Sequence, residues 1–222
     1  MRKVVNGLIA SAALLGAAVL APAAQAAPCD GLDMEQPFLA WHDSADYALV
    51  PGGDFEAGTS GWTLEGGAAT AAGGNPFRPQ SSATSLSLPA GSSATTPPVC
   101  VAKGNPTARI FADTVAPGAK KSGLKVEVLY LKADGSVRKV KKAGKLKREP
   151  QWDATRKFSL AQGQFGAKPP ADVMTAPPAD EPQGGQGQKP GARTSQIALR
   201  FTPTAGSGWL IDDVFVDPRM RL

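Results

Sequence analysis

The sequence has 222 residues, with 24 basic and 19 acidic side chains, a formal net charge of +5 and 42% hydrophobic residues. One histidine and two cysteines in that length leave no CxxC-type metal spacing and no nucleophile–histidine triad. No stretch beyond the amino terminus is long and apolar enough to cross a membrane as a helix.

The first 26 residues read as an export leader. Arg2 and Lys3 precede an apolar run from Gly7 to Ala21, and Ala24-Gln25-Ala26 supplies a small-x-small cleavage site. The expected product is a secreted, extracellular protein spanning 27–222 as one domain. Arg2 and Lys3 leave with the leader, so 22 basic residues face 19 acidic ones and the remainder is nearly neutral. The charge is local, however, because 11 of those bases lie between Lys120 and Arg148, against only Glu127 and Asp134. In an oxidising compartment Cys29 and Cys100 are expected to pair. A loop of about 70 residues closed in this way stabilises by about 4 kcal/mol on the chain-entropy account.

Along the chain, Cys29 to Tyr47 reads as an arm packed on the domain surface, carrying Phe38, Trp41, His42 and Tyr47, with His42-Asp43 an ordinary surface pair. Short strands follow at Tyr47–Val50 and Gly61–Glu65, each stopped by glycines. The segment GGNPFRPQ (Gly73–Gln80) is a rim loop that exposes Phe77 and Arg78. Further strands are expected at Ser85–Leu88, Ser92–Thr96, Val99–Val101 and Thr107–Thr114. In the last of these Ile110 and Ala112 face one way, Arg109, Phe111 and Asp113 the other. Leu124 to Lys141 is a hairpin turning at Ala133-Asp134-Gly135. A strand is expected over Gln151–Leu160. The composition then turns to proline, glycine and glutamine, and about 176–192 reads as a disordered loop. The closing strands are Ser195–Thr202 and Gly208–Asp217.

This pattern is all-β. LVPGGDFEAGTSGWTLEGGA near the start and GWLIDDVFVDP at the end resemble the paired terminal signatures of galactose-binding-like jelly rolls, including the carbohydrate-binding modules of secreted glycosidases. The chain is also similar to secreted actinobacterial proteins without an assigned activity. The resemblance implies a two-sheet β-sandwich (jelly roll, galactose-binding-like). It also implies a structural calcium tying the first strand to the last through Glu56 and Asp212, an oxygen set that suits a hard cation. Gly52 stands where asparagine is common in that motif. Without a metal, Asp54 and Glu56 would cap a turn and Asp212 and Asp213 would be a strand's polar face. Strict alternation points Asp212 and Asp213 to opposite faces, so at most one of them would bind a metal.

The function this supports is a secreted, non-catalytic module binding glycan or a cell-envelope polymer, with Trp41, Phe77 and Tyr130 as candidate stacking platforms. Trp62 and Trp209, inside the signature strands, read as packing. The alternative is an extracellular structural or interaction protein without sugar binding. It would use the basic hairpin (Lys139, Lys141, Lys142, Lys145, Lys147 and Arg148) to contact acidic partners. Too few aromatics interleave with those bases for a single-stranded nucleic-acid surface.

Overall fold

The computed structural model describes residues 32–77, 82–102, 105–161 and 194–218. The expected leader, Cys29, Arg78 and the loop at about 176–192 lie outside them. A short strand, β1 (Met34–Glu35), and one turn of 3-10 helix (Leu39–Trp41) open the described chain. There follow β2 (Tyr47–Leu49), β3 (Thr63–Glu65), β4 (Ala69–Ala72), β5 (Thr84–Leu88), β6 (Ser93–Thr95) and β7 (Val99–Ala102). Next come β8 (Thr107–Ala116), β9 (Gly123–Leu131), β10 (Val137–Leu146), β11 (Asp153–Ala154), β12 (Phe158–Ser159), β13 (Thr194–Thr204) and β14 (Gly208–Asp217).

The strands form two antiparallel sheets, a jelly-roll β-sandwich. Among the described residues the first holds eight strands and the second six. In the first, β14 is central. It pairs with β8 along its length on one side, and on the other with β5 through Trp209–Ile211 and with β2 through Phe215–Val216. In the second, β13 lies between β9 and the short strands β6 and β7. Alternation along these strands builds the core. Ile110, Ala112, Leu86, Leu88, Trp209 and Ile211 meet Val126, Val128, Tyr130, Leu199 and Phe201 from the facing sheet. Each fully buried side chain of this size contributes about 1.5–3 kcal/mol of transfer free energy. Trp62 and Trp209 belong to this core, and their indole N–H groups donate to Pro51 O and Ser207 Oγ at 3.0 Å.

The hairpin is as the sequence indicates: β9 and β10 pair across a turn in which Gly135 N–H donates to Lys132 O at 3.0 Å. The strand expected over Gln151–Leu160 is instead two fragments on β8. Ala154 pairs with Phe111 but Phe158 with Ala108, so one extra residue breaks the ladder. β4 was not anticipated, because its alanines carry little strand signal.

The two terminal signatures meet at a bulge in β14. Asp212 pairs with Phe111 and Phe215 with Arg109, which leaves one residue too many on β14. Asp213 takes up the excess in the left-handed region at φ 46°. The Val50–Gly53 turn fills the gap: Val50 N–H donates to Val214 O at 2.9 Å and Val214 N–H to Gly53 O at 3.0 Å. A Cβ on Gly53 would lie 2.9 Å from Val50 O and 3.1 Å from Val214 O. Gly53→Ala is therefore expected to destabilise by about 2 kcal/mol through overpacking against backbone. Urea unfolding should show a lower midpoint with unchanged slope, whereas an unaltered midpoint would mean that the turn is not held in this bulge.

Candidate functional site

The outer face of the first sheet carries a second apolar cluster, built from strand residues that alternation directs away from the core. Phe111 on β8 and Phe215 on β14 are buried there with Phe38 and Tyr47, beneath the amino-terminal arm. Phe38 stacks on Phe111 with centroids 5.4 Å apart and meets Tyr47 edge-on at 5.0 Å. Phe77, from the rim loop, also stacks on Phe111, at 5.6 Å and 26°. Trp41, from the arm, stands against Phe77 at 5.0 Å and 87°, and its Nε1 donates to Asp153 Oδ1 at 2.8 Å. Two of the three rings singled out in the sequence thus come together, from segments 36 residues apart, over a phenylalanine floor. Phe77 is 45% exposed and Trp41 half-buried.

Tyr130 does not join them. Its alternation on β9 directs it into the core, where it is 2% exposed and donates to Leu160 O at 3.0 Å. Its burial raises the phenol pKa, and its ring cannot serve as a surface platform. The residue that sequence reasoning missed is Phe111, the floor itself; the alternation in TARIFADT had placed it on this outer face.

The arm is fixed by charge. Asp43, read from the sequence as half of a surface pair, is buried. Its Oδ2 accepts from Arg109 at 2.9 Å and from the Tyr47 hydroxyl at 2.8 Å, and its Oδ1 from Lys157 at 2.8 Å. Burial would raise this carboxyl, but Lys157, Tyr47 and Arg109 together hold it down at about 2. Arg109 in turn lies 4.2 Å over the Phe38 ring and donates to Thr155 O at 2.7 Å.

Glu56 and Asp212 also come together, across the hydroxyl of Ser82. Ser82 Oγ is 3.0 Å from Glu56 Oε1 and 2.7 Å from Asp212 Oδ2. Asp212 Oδ2 further accepts from the backbone and side-chain nitrogens of Asn75 at 2.9 and 3.0 Å, and its Oδ1 from Asp213 N–H at 2.8 Å. Burial raises the Asp212 carboxyl, against the hydrogen bonds from Asn75 and Ser82 that lower it. Glu56 Oε1 accepts from Ala83 N–H and Thr84 N–H, both at 2.9 Å. Protein donors thus occupy the oxygens of both carboxylates that face Ser82. Among the described residues no cluster of three or more histidines, cysteines, aspartates or glutamates could hold a metal.

Asp212 and Asp213 do not point to opposite faces as strict alternation would require. The bulge and the left-handed Asp213 turn both carboxylates to Asn75, whose Nδ2 lies 3.0 Å from Asp212 Oδ2 and 2.7 Å from Asp213 Oδ2. Asn75 Oδ1 then accepts the Phe77 N–H at 3.1 Å. The clasp on β14 therefore ends at the exposed ring. Its sequence trace is the asparagine in GGNPF, a residue type suited to closing a turn through its own side chain.

The basic patch divides. On β10, Lys139 and Lys141 pair with Tyr130 and Val128 and so share their face, and Lys141 caps Ala161 O at 2.7 Å. Lys142 lies opposite Glu127, which is ion-paired to Lys125 and Arg200 at 3.0 and 2.8 Å. Lys145, Lys147 and Arg148 instead line a cavity with Lys120 and Lys121. Of the cysteines, Cys29 lies outside the described residues, and Cys100 is 3% exposed on β7, where no free cysteine occurs among the described residues.

No family model matches the sequence, and no curated protein does. Among solved structures, the chain is similar to the CBM22-1 xylan-binding domain from Paenibacillus barcinonensis Xyn10C at 16% identity, covering 73% of this chain and 89% of that one with a TM-score of 0.41. It is similar to the family 11 carbohydrate-binding module of Clostridium thermocellum Lic26A-Cel5E at 10% identity, with 81% and 99% coverage and a TM-score of 0.37. A bacteriophage CBA120 tailspike protein matches at 14% identity and a TM-score of 0.43, with 74% of this chain covering 20% of that one. At these scores the fold assignment rests on the two sheets of this chain.

The Asp43 network has a testable pH dependence. Its folded pKa lies below the ordinary value of 3.8, so its contribution is fully present above about pH 4 and is lost as pH falls toward about 2. That contribution is roughly 2 kcal/mol. Asp43→Asn should lower the melting temperature clearly at pH 6, and the gap to the parent should narrow by pH 2.5. A gap that stays constant with pH would place the effect in packing rather than charge.

Proposed function

We infer that the protein is an exported, non-catalytic module that holds polysaccharide on the plate formed by Phe77 and Trp41. The observation that carries this reading is the exposed Phe77 ring, supported from below by Phe111 and from the side by Trp41, and held at its backbone by Asn75. Such a surface is already ordered, so little side-chain entropy is lost when a sugar ring stacks on it. The carboxylates around the plate are committed to structure. Asp212 and Asp213 are fully buried, and Asp153 accepts from Trp41. These commitments support a binding role over acid–base chemistry. No helix among the described residues is long and apolar enough to cross a membrane.

Affinity electrophoresis against soluble polysaccharides tests the plate. The parent should be retarded by at least one of them, and Phe77→Ala should bind that polymer roughly tenfold more weakly, at the upper end of what one aromatic contact supplies. Its melting temperature should hardly change, because Phe77 is half exposed. The clasp is satisfied by Asn75 and Ser82, so calcium and a chelator should give the same retardation and the same melting curve. A parent that no polysaccharide retards would end this reading, and a strong calcium effect would restore a metal to the clasp.

Export and the expected disulfide are read together by the intact mass of protein recovered from the culture medium of an exporting host. The expected mass lacks residues 1–26 and is lower by two hydrogens, for a Cys29–Cys100 bond. A protein retained in the cell at full length contradicts the exported reading.

A further inference from the structure

At one end of the sandwich, the turn between β8 and β9 and the end of β10 enclose an open cavity of about 490 Å³. Five cations from two separate stretches line it, Lys120 and Lys121 on one side and Lys145, Lys147 and Arg148 on the other, and no acidic residue does. Elsewhere Arg109 and Lys157 are ion-paired with Asp43, and Lys125 and Arg200 with Glu127. None of the five has an ion pair among the described residues.

The cavity is shaped by backbone rather than by chance proximity of flexible side chains. Gly118 is at φ 64°, where a Cβ would meet Ser207 N at 2.6 Å and Ala205 O at 2.7 Å. Ala119 N–H donates to Ala205 O at 2.9 Å, and Ser122 N–H to Ala119 O at 3.0 Å. Lys121 is held in the left-handed region at φ 69°, and Lys145 Nζ donates to its carbonyl. Uncompensated like charges gathered on an ordered wall repel one another, and an incoming anion relieves that repulsion.

The cavity and the aromatic plate lie along the same strand. Phe111, the floor of the plate, and Ala116, at the cavity edge, are five residues apart on β8, roughly 17 Å at strand rise. The segment from Arg148 to Asp153 runs beside them. Glu149 N–H donates to Thr114 Oγ1 and Thr114 N–H to Glu149 O, both at 2.8 Å, while Asp153 receives the Trp41 indole.

We propose that this cavity is an anion subsite through which the protein selects acidic polysaccharides, those bearing uronate carboxylates or sulfates, over neutral ones. The subsite rests on the glycan-binding reading for its choice of polymer, though not for its affinity for anions. Five cations around one cavity supply attraction that salt screens over about 10 Å at 0.1 M. The plate supplies stacking that salt leaves largely intact.

The test is affinity electrophoresis of the full chain on polygalacturonate, heparin and neutral xylan at two ionic strengths. Two variants are compared with the parent: Lys147→Gln/Arg148→Gln, and Phe77→Ala. The double variant removes two exposed charges without reversing any, so it should melt as the parent does. It is expected to bind polygalacturonate or heparin at least tenfold more weakly, with any retardation by xylan unchanged. Polygalacturonate carries carboxylates alone and heparin carries carboxylates and sulfates, so a loss on heparin without one on polygalacturonate identifies sulfate as the favoured group. If Phe77→Ala changes nothing but the double variant still loses the acidic polymer, the plate reading fails and the subsite stands. Undiminished binding of both acidic polymers by the double variant would overturn the proposal. So would equal retardation of the parent by single-stranded DNA, which would make the wall a general polyanion surface.

Discussion

Two carboxylates at the centre of the first sheet, Asp212 and Asp213, are fully buried on β14. Isolated charges there would cost several kcal/mol each, so their partners determine whether the strand can exist in this form. Asn75 answers both, and Ser82 and Glu56 extend the network to the turn after Val50. The bulge that places these carboxylates side by side is also the gap into which Val50 and Gly53 hydrogen-bond. One irregularity therefore joins the two terminal signatures, orders the rim loop and carries its constraint to the ring of Phe77.

A second charge centre, Asp43 with Arg109 and Lys157, performs the corresponding task for the arm. It pins a segment with little regular structure across the outer face, so that Trp41 stands beside Phe77. Both halves of the plate are thus held by buried acids on the first sheet's outer layer. The basic cavity differs in kind, because its cations have no acidic partner among the described residues.

Much of the fold was legible in the sequence, where a strand's alternation is uninterrupted. Thr107–Thr114, β9 and β13 carry the period-2 pattern unbroken and form where it indicates; β10 and β14 also form where expected, but with shifts in register. The misreadings fall where a single residue breaks that period. The extra residue between Ala154 and Phe158 divides an expected strand in two, and the bulge at Asp213 reverses the face of a carboxylate. Tyr130, a candidate platform as an aromatic, shares the face of Val126 and Val128, and that alternation assigns it to the core. Trp41 and Phe77 were recognisable as loop aromatics. Phe111 as their floor was not, since stacking between the arm, the rim loop and β8 is a tertiary relation without local signal. The basic run was visible as composition, but its division between two faces of β10 and a cavity required the register of the hairpin.

The central position of β14 also bears on how the chain reaches this structure. Its partners β2, β5 and β8 all precede it by long stretches of sequence, and Leu49 meets Phe215 across most of the described chain. Sandwiches dominated by such distant pairings fold in milliseconds to seconds, because loop closure must precede the contacts that compensate for it. The first sheet has no centre until its last strand arrives, so its earlier strands must wait with open edges. The slowest step in forming this protein should accordingly be the docking of β14, and substitutions in its bulge should act on the rate of folding as well as on the stability reached.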